Sequence, residues 1–240
     1  MPVPGLAQWL HTAQGRYVLD WELQRTDQVI ADVFGFNALQ LGLPDHDFLR
    51  ISRIRHCWHL NLLQDADVAC DFRQLPFPAQ SIDLVILPHV LEFYPDPHQI
   101  VREIERVLIP EGQVLIFGFN PLSLWGAYRY LPGTPRRNFP WNGAYLHPVR
   151  VRDWLHLLGF ELARTAFGAY APPWSQEKWL RRWHFMEAAG DRWWGIAGGV
   201  YLLHAIKRVQ GVRLLTSPWR KLRPAAAALL PVRRDSRIDM

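Results

Sequence analysis

Ile-Asp-Leu-Val-Ile-Leu-Pro-His at 82–89 and Arg-Val-Leu-Ile-Pro-Glu-Gly-Gln-Val-Leu-Ile-Phe-Gly at 106–118 decide the fold of this chain. Each stretch contains a continuous apolar run, which is typical of a strand buried on both faces of a parallel sheet. Between them, Asp96-Pro97 is a favourable helix start, and the apolar residues that follow recur at helical spacing. The stretch therefore predicts a strand–helix–strand unit of an α/β protein.

Further apolar runs extend this unit into a sheet. We predict strands at 37–43, 56–63, 67–71, 82–88, 113–119 and 160–167, and a final edge strand at 199–207. Helices are predicted after Asp96 and at 149–158, whereas the connection before 67 is too short for one. Strands that alternate with helices indicate a mostly parallel sheet with right-handed crossovers.

Composition divides the chain into three parts. Residues 1–36 are predicted to form a helical arm, with Gly15 separating a short helix from a longer one that Gly35 ends. Residues 37–208 form the predicted α/β domain, with aromatic-rich insertions near 121–148 and 172–196. Residues 209–240 form a basic tail.

Several classes of protein are excluded by composition. Apolar residues make up 49% of the 240 residues, which is enough for a core, and no apolar run is long enough to span a bilayer. The N-terminus lacks the basic start and apolar stretch of a signal peptide. The spacing of Cys57 and Cys70 indicates neither a metal site nor a redox pair. We therefore expect a cytoplasmic protein without a metal centre.

The positive charge is concentrated at one end. Residues 207–240 contain nine basic and two acidic side chains, a net charge of +7, whereas the remainder has a net charge of −2. A nearly neutral body is not typical of a nucleic-acid-binding domain. Nucleic acid is therefore an expected partner only through the tail.

The residues from Asp71 to Gly118 closely resemble the second half of a class I S-adenosylmethionine (SAM)-dependent methyltransferase of the type 11 family. The resemblance rests on Leu75-Pro76-Phe77, on 82–85, on Arg106-Val107-Leu108 and on Glu111-Gly112. Residues 35–42 together with 118–123 are also similar to a proteobacterial subgroup of methyltransferase-like proteins. The resemblance implies a Rossmann-like three-layer sandwich with an antiparallel last strand, and SAM as cofactor.

The resemblance also implies where the cofactor binds. In that family the first strand ends in an acid followed by a Gly-x-Gly-x-Gly loop, the second ends in an acid that holds the ribose, and an Asp after the third reaches the adenine. Here Gln40 replaces the first acid, Gly42 is the one glycine of the three, Pro44 occupies the position of the second, and Asn61 replaces the ribose acid. The implied cofactor-binding residues are Gln40, Gly42, Asn61, Asp71, Phe72, Leu87 and His89.

One histidine is the leading candidate for catalysis. His89 follows the fourth strand, and its ordinary pKa near neutrality suits a general base where the acceptor must lose a proton. Glu92 and His147 are weaker candidates, and Asn120 could orient an acceptor. Each of the four also has a purely structural interpretation. The aromatic insertions could cover a small, partly aromatic or lipid-like acceptor, or simply pack.

Two other functions remain open from the sequence. The altered glycine loop favours a catalytically inactive, methyltransferase-like binding or scaffold protein. The stretch Trp219-Arg220-Lys221-Leu222-Arg223 mixes charge with apolar side chains and suits an adaptor for RNA or anionic membrane.

Overall fold

The computed structural model describes residues 5–62, 66–131, 139–173, 187, 190, 192 and 194–208. These residues belong to one compact unit, Met1–Val209. The helices are α1 (Leu6–Leu10), α2 (Ala13–Ile30), α3 (Pro97–Val107), α4 (Leu124–Tyr128) and α5 (Pro148–Leu157). The strands are β1 (Asn37–Leu41), β2 (His56–Asn61), β3 (Val68–Ala69), β4 (Ile82–Pro88), β5 (Leu108–Phe119), β6 (Phe160–Gly168) and β7 (Val200–Lys207).

The seven strands form one sheet in the order β3-β2-β1-β4-β5-β7-β6. Neighbours from β3 to β5 are parallel, and β7 is antiparallel to both β5 and β6. The predicted α/β fold, with a mostly parallel sheet and an antiparallel last strand, is therefore confirmed. One position was wrong: β7 is not an edge strand, because its apolar residues are buried between β5 and β6. The edge is β6, several of whose residues are exposed.

The predicted strand–helix–strand unit is present with one change in its bounds. Asp96 caps α3 by accepting a hydrogen bond from the backbone N–H of Gln99. The expected turn at Pro110–Gly112 lies inside a longer β5, which begins at Leu108. There the register against β4 shifts, and Glu111 has a φ of 65°. The turn residues thus form an irregularity within the strand rather than its boundary.

The N-terminal arm differs from the prediction at both glycines. His11 and Thr12 separate α1 from α2, and Gly15 lies inside α2. A Cβ on Gly15 would lie 2.1 Å from the carbonyl oxygen of Trp9, so this glycine allows the two helices to pack closely. Helix α2 ends at Ile30, before Gly35.

Alternate residues of the central strands contribute to cores on opposite faces of the sheet. Ala38 of β1 belongs to the core that includes α1 and α2, and the adjacent Leu39 belongs to the core that includes α3 and α5. This alternation produces the three layers. Within the described part of the chain, no helix combines the length and the apolarity needed to cross a membrane.

Candidate functional site

The carboxyl ends of the parallel strands meet at one edge of the sheet, which is where ligands of open α/β folds bind. Leu41 of β1 is paired with Leu60 of β2, and Asn61 is paired with Ala69 of β3. Gly42, Asn61 and Asp71 therefore lie at the carboxyl ends of neighbouring strands, in order. We call this edge the strand-end rim.

Gln40 is fully buried and holds the loop after β1 in place. Its Nε2 lies 3.2, 2.9 and 2.7 Å from the carbonyl oxygens of Gly42, Leu43 and His46. Its Oε1 accepts a hydrogen bond from the backbone N–H of Phe48 at 2.8 Å. A carboxylate at this position could not donate to the carbonyls. The replacement of the family's acid by glutamine is thus explained by the conformation of the loop.

The loop leaves β1 through two residues with left-handed backbone. Gly42 has a φ of 81° and Leu43 a φ of 50°. The N–H of Gly42 donates to the carbonyl of Leu60, which fastens the turn to β2. A Cβ on Gly42 would make only ordinary contact with Val90, at 3.5 Å. The positive φ, rather than a lack of space, therefore favours glycine at position 42.

Residues at the ends of β2 and β3 present oxygen atoms at the rim. Asn61 is nearly buried, and its Oδ1 accepts a hydrogen bond from the N–H of Leu62 at 2.9 Å. Asp71 is more exposed and pairs with Arg73, whose side-chain and backbone hydrogen bonds lower the pKa of the Asp71 carboxyl. Phe72 is buried against Tyr94, with ring centroids 5.2 Å apart. Its side chain thus belongs to the core.

The end of β4 carries the most unusual polar contact of the rim. Leu87 is buried in the core, whereas His89, two residues later, has left-handed backbone with a φ of 54°. His89 is fully buried, with Nδ1 3.0 Å from Glu92 Oε2 and Nε2 2.7 Å from Glu22 Oε1. The His89 ring thus lies between two buried carboxylates.

The two carboxylates determine the protonation of this histidine. Burial lowers the pKa of His89, but the charge and hydrogen bond of Glu22 and those of Glu92 outweigh burial and raise it to about 10. Burial raises the pKa of Glu92, although His89 and the N–H of Phe119 oppose this. His89 therefore keeps both ring protons at neutral pH, with each nitrogen occupied by a carboxylate.

Aromatic rings surround this array. The ring of Phe119 lies 4.2 Å from that of His89, 5.2 Å from that of Tyr145 and 5.8 Å from that of Trp9. We call these four residues, with Glu22 and Glu92, the Phe119 cluster. Three buried polar atoms in it have no hydrogen-bond partner: Trp9 Nε1, Glu22 Oε2 and Tyr145 Oη. Buried polar atoms are normally satisfied, so this cluster is suited to a ligand or to bound water.

Other predicted candidates have different surroundings. Asn120 is buried and joins three backbone groups, which is a structural role. His147 precedes α5 and accepts a hydrogen bond from the N–H of Val149. Glu92 alone among the weaker candidates contacts His89.

The sequence interpretation missed Glu22. It follows Val18 and Trp21 on the buried face of α2, so an acid within an apolar helical stripe was the available signal.

Trp174, Trp179, Trp183 and Trp193 of the predicted aromatic insertion lie outside the described residues, as does the basic tail at 209–240.

Comparisons with known proteins agree with this fold. Residues 53–116 match the model of a family described as a methyltransferase domain. The uncharacterized protein YafS of Escherichia coli (strain K12) is 38% identical over 146 residues, which are 60% of each chain. The chain thus spans about 60% of the length of this curated relative.

Solved structures show the same fold at low identity. One is a chain of a complex that contains the Haloferax volcanii Trm112 methyltransferase activator, with a TM-score of 0.61 and 15% identity over 88% of this chain and 99% of that one. A SAM-dependent methyltransferase from Archaeoglobus fulgidus has a TM-score of 0.55 and 17% identity over 80% and 94% of the two chains. The Rossmann-like fold expected from the sequence is therefore confirmed.

Proposed function

We propose that this chain, which has the fold of the class I SAM-dependent methyltransferases, transfers a methyl group from SAM to a small-molecule acceptor. The observation that carries the proposal is the Phe119 cluster at the ends of β4 and β5. Burying ionisable groups is costly, and groups with strongly shifted pKa values concentrate where chemistry occurs. The cluster also lies at the edge of the sheet where this type of fold binds ligands.

The polar atoms at the ends of β2 and β3 fit an adenosyl group. Asn61 and Asp71 carry oxygen acceptors, which suit ribose hydroxyls and the adenine amino group. They lie at the ends of strands that the sheet register places side by side. The loop at 42–48 differs from the family pattern at Gln40 and Pro44, so we assign recognition to Asn61 and Asp71 more than to loop N–H groups.

When bound, SAM supplies a methyl group on a positively charged sulfur. The contribution of the protein is to align the acceptor and to exclude water. Trp9, Phe119 and Tyr145 provide apolar walls for this purpose, and the unpartnered Trp9 Nε1 and Tyr145 Oη would orient the acceptor. An acceptor with an apolar body and one hydroxyl or amino group satisfies both features.

Within the cluster we assign the proton acceptor to Glu22 Oε2, the carboxylate oxygen without a partner. His89 holds its own protons at neutral pH and positions the carboxylates on either side of it. His89 was predicted to be the general base. It could accept a proton only after the contact between Glu22 and Nε2 breaks, because each ring nitrogen is hydrogen-bonded to a carboxylate.

Calorimetry with SAM and with S-adenosylhomocysteine tests the proposal. We expect binding by the purified chain, weakened about fivefold or more by Asp71→Ala because an acceptor oxygen is lost. Asp153→Ala is the matched control, since Asp153 is also an exposed acid beside an arginine but lies on α5. Absence of heat and of thermal stabilisation at millimolar ligand would overturn the proposal and favour a non-catalytic binding protein.

A further inference from the structure

Arg73 fills the acceptor positions of Asp71, the carboxylate that we assign to the adenine amino group. Asp71 Oδ1 accepts hydrogen bonds from the backbone N–H of Arg73 at 2.9 Å and from its Nε at 3.1 Å. Asp71 Oδ2 lies 3.1 Å from the same Nε and 2.6 Å from Nη2. A carboxylate offers about four lone-pair positions for hydrogen bonds. In this structure a single residue thus satisfies the carboxylate.

A nucleoside at the strand-end rim therefore competes with a side chain of the protein itself. The adenine amino group is a donor, and it needs a position on the carboxylate that Arg73 also uses. The backbone hydrogen bond of Arg73 to Asp71 Oδ1 holds the carboxylate in place and need not break. The contacts of the guanidinium are the ones that must yield.

The surroundings of the guanidinium allow it to withdraw. The side chain of Arg73 is 47% exposed and that of Asp71 is 37% exposed. Exposed ion pairs are weak, because water solvates both charges when they separate. Asp71, by its hydrogen bonds and its charge, raises the pKa of the Arg73 guanidinium, and the charge of Asp96 adds to this effect. Asp96, which caps α3, is thus close enough to attract the guanidinium after it leaves Asp71.

We propose that Arg73 masks Asp71 in the free protein and thereby sets the affinity of the chain for SAM. The inference rests on the proposed function, because it requires a nucleoside at the strand-end rim. Apparent affinity falls when the conformation that can bind is only part of the population, and here that conformation is the one in which the guanidinium has left Asp71. Removing the guanidinium therefore tightens binding, whereas removing the carboxylate weakens it.

Calorimetry on the full-length variant Arg73→Ala tests the inference. We expect it to bind S-adenosylhomocysteine and SAM about threefold more tightly than the wild type does, a gain of the size that an exposed ion pair can give. S-adenosylhomocysteine lacks the sulfonium charge, so a gain for both ligands excludes mere relief of repulsion between Arg73 and SAM. Arg152→Ala is the matched control, since Arg152 is also an exposed arginine beside an aspartate but lies on α5. Circular dichroism would show that each variant is folded.

The double variant Asp71→Ala with Arg73→Ala separates masking from other effects of the arginine. It should bind no more tightly than Asp71→Ala alone, because no carboxylate remains to be masked. An unchanged or weaker affinity of the folded Arg73→Ala variant, a gain confined to SAM, or the same gain in the Asp71→Ala background would overturn the inference alone. If neither the wild type nor any variant binds either ligand, the proposed function fails and this inference fails with it.

Discussion

Glu22 Oε1 lies 2.7 Å from His89 Nε2, and both side chains are fully buried. This contact joins helix α2 of the N-terminal arm to the residue that follows strand β4. The arm is thus attached to the strand-end rim by a charged contact and not by apolar packing alone. Opening the rim from this side would require the contact to break.

Replacing Glu22 by glutamine tests the importance of this contact. Glu22→Gln keeps the size of the side chain but removes the charge that faces His89. We expect the free energy of unfolding to fall by about 2–4 kcal/mol, because a buried charge loses a partner. Chemical denaturation measures the change. Asp20→Asn, at an exposed position of the same helix, should have little effect, and equal losses in both variants would contradict the assignment.

The pH dependence of stability follows from the raised pKa of His89. Burial alone would lower this pKa, but Glu22 and Glu92 raise it from 6.5 to about 10. The fold therefore binds the proton more tightly than the unfolded chain does, and the resulting stability is complete below pH 6.5 and lost as pH rises through 10. We expect the Tm of the wild type to fall from pH 7 to pH 10.

The same measurement on Glu22→Gln separates His89 from other groups that lower stability at high pH. One is the neighbouring Tyr145: burial raises its pKa in the fold, so it ionises more readily in the unfolded chain. The Tm of the variant should fall less between pH 7 and pH 10, because the pKa of His89 in the folded variant is closer to its ordinary value. Parallel curves for the two proteins would show that His89 is not the group responsible.

Gln40→Glu restores the acid of the family pattern and should nevertheless destabilise this chain. The carboxylate would face the carbonyl oxygens of Gly42, Leu43 and His46, which the amide now approaches as a donor. We expect a loss of about 2–4 kcal/mol in the free energy of unfolding. Gln24→Glu, at an exposed position of α2, is the matched control. A stable Gln40→Glu variant would mean that the loop adopts another conformation.

Asn120→Ala removes the amide that joins the end of β5 to the segment before β7. Because three backbone groups lose a partner, we expect the free energy of unfolding to fall by about 1–3 kcal/mol. Amide hydrogen exchange should increase around Leu122 and Ala197 ahead of the rest of the sheet. Asn142→Ala, at an exposed position, is the comparison. Unchanged exchange at the first two sites would refute the structural role.

The sequence predicted the sheet because its signals are local. Apolar runs at 82–88 and 113–119 and the Asp96-Pro97 cap depend on near neighbours, and all three are present. The position of β7 was missed because pairing between distant strands leaves no local pattern; the polar residues of β6 were the better indication of an edge. Gly15 was misread because its role depends on Trp9 in another helix.

The candidate site could be predicted only in part for the same reason. His89 could be predicted as a candidate because it follows β4, but Glu22, which contacts it, lies 67 residues earlier in the chain. Likewise, the role of Gln40 depends on a loop conformation that the family pattern does not include. Such contacts are tertiary, and the nearest sequence signal was a single acid on the apolar face of α2.

A crystal structure of the protein grown with S-adenosylhomocysteine tests the central claim most directly. We predict a nucleoside at the strand-end rim, with Asn61 and Asp71 within about 3 Å of its ribose and adenine polar atoms. A loop around Pro44 that fills this volume, or a nucleoside bound elsewhere on the chain, would contradict the claim.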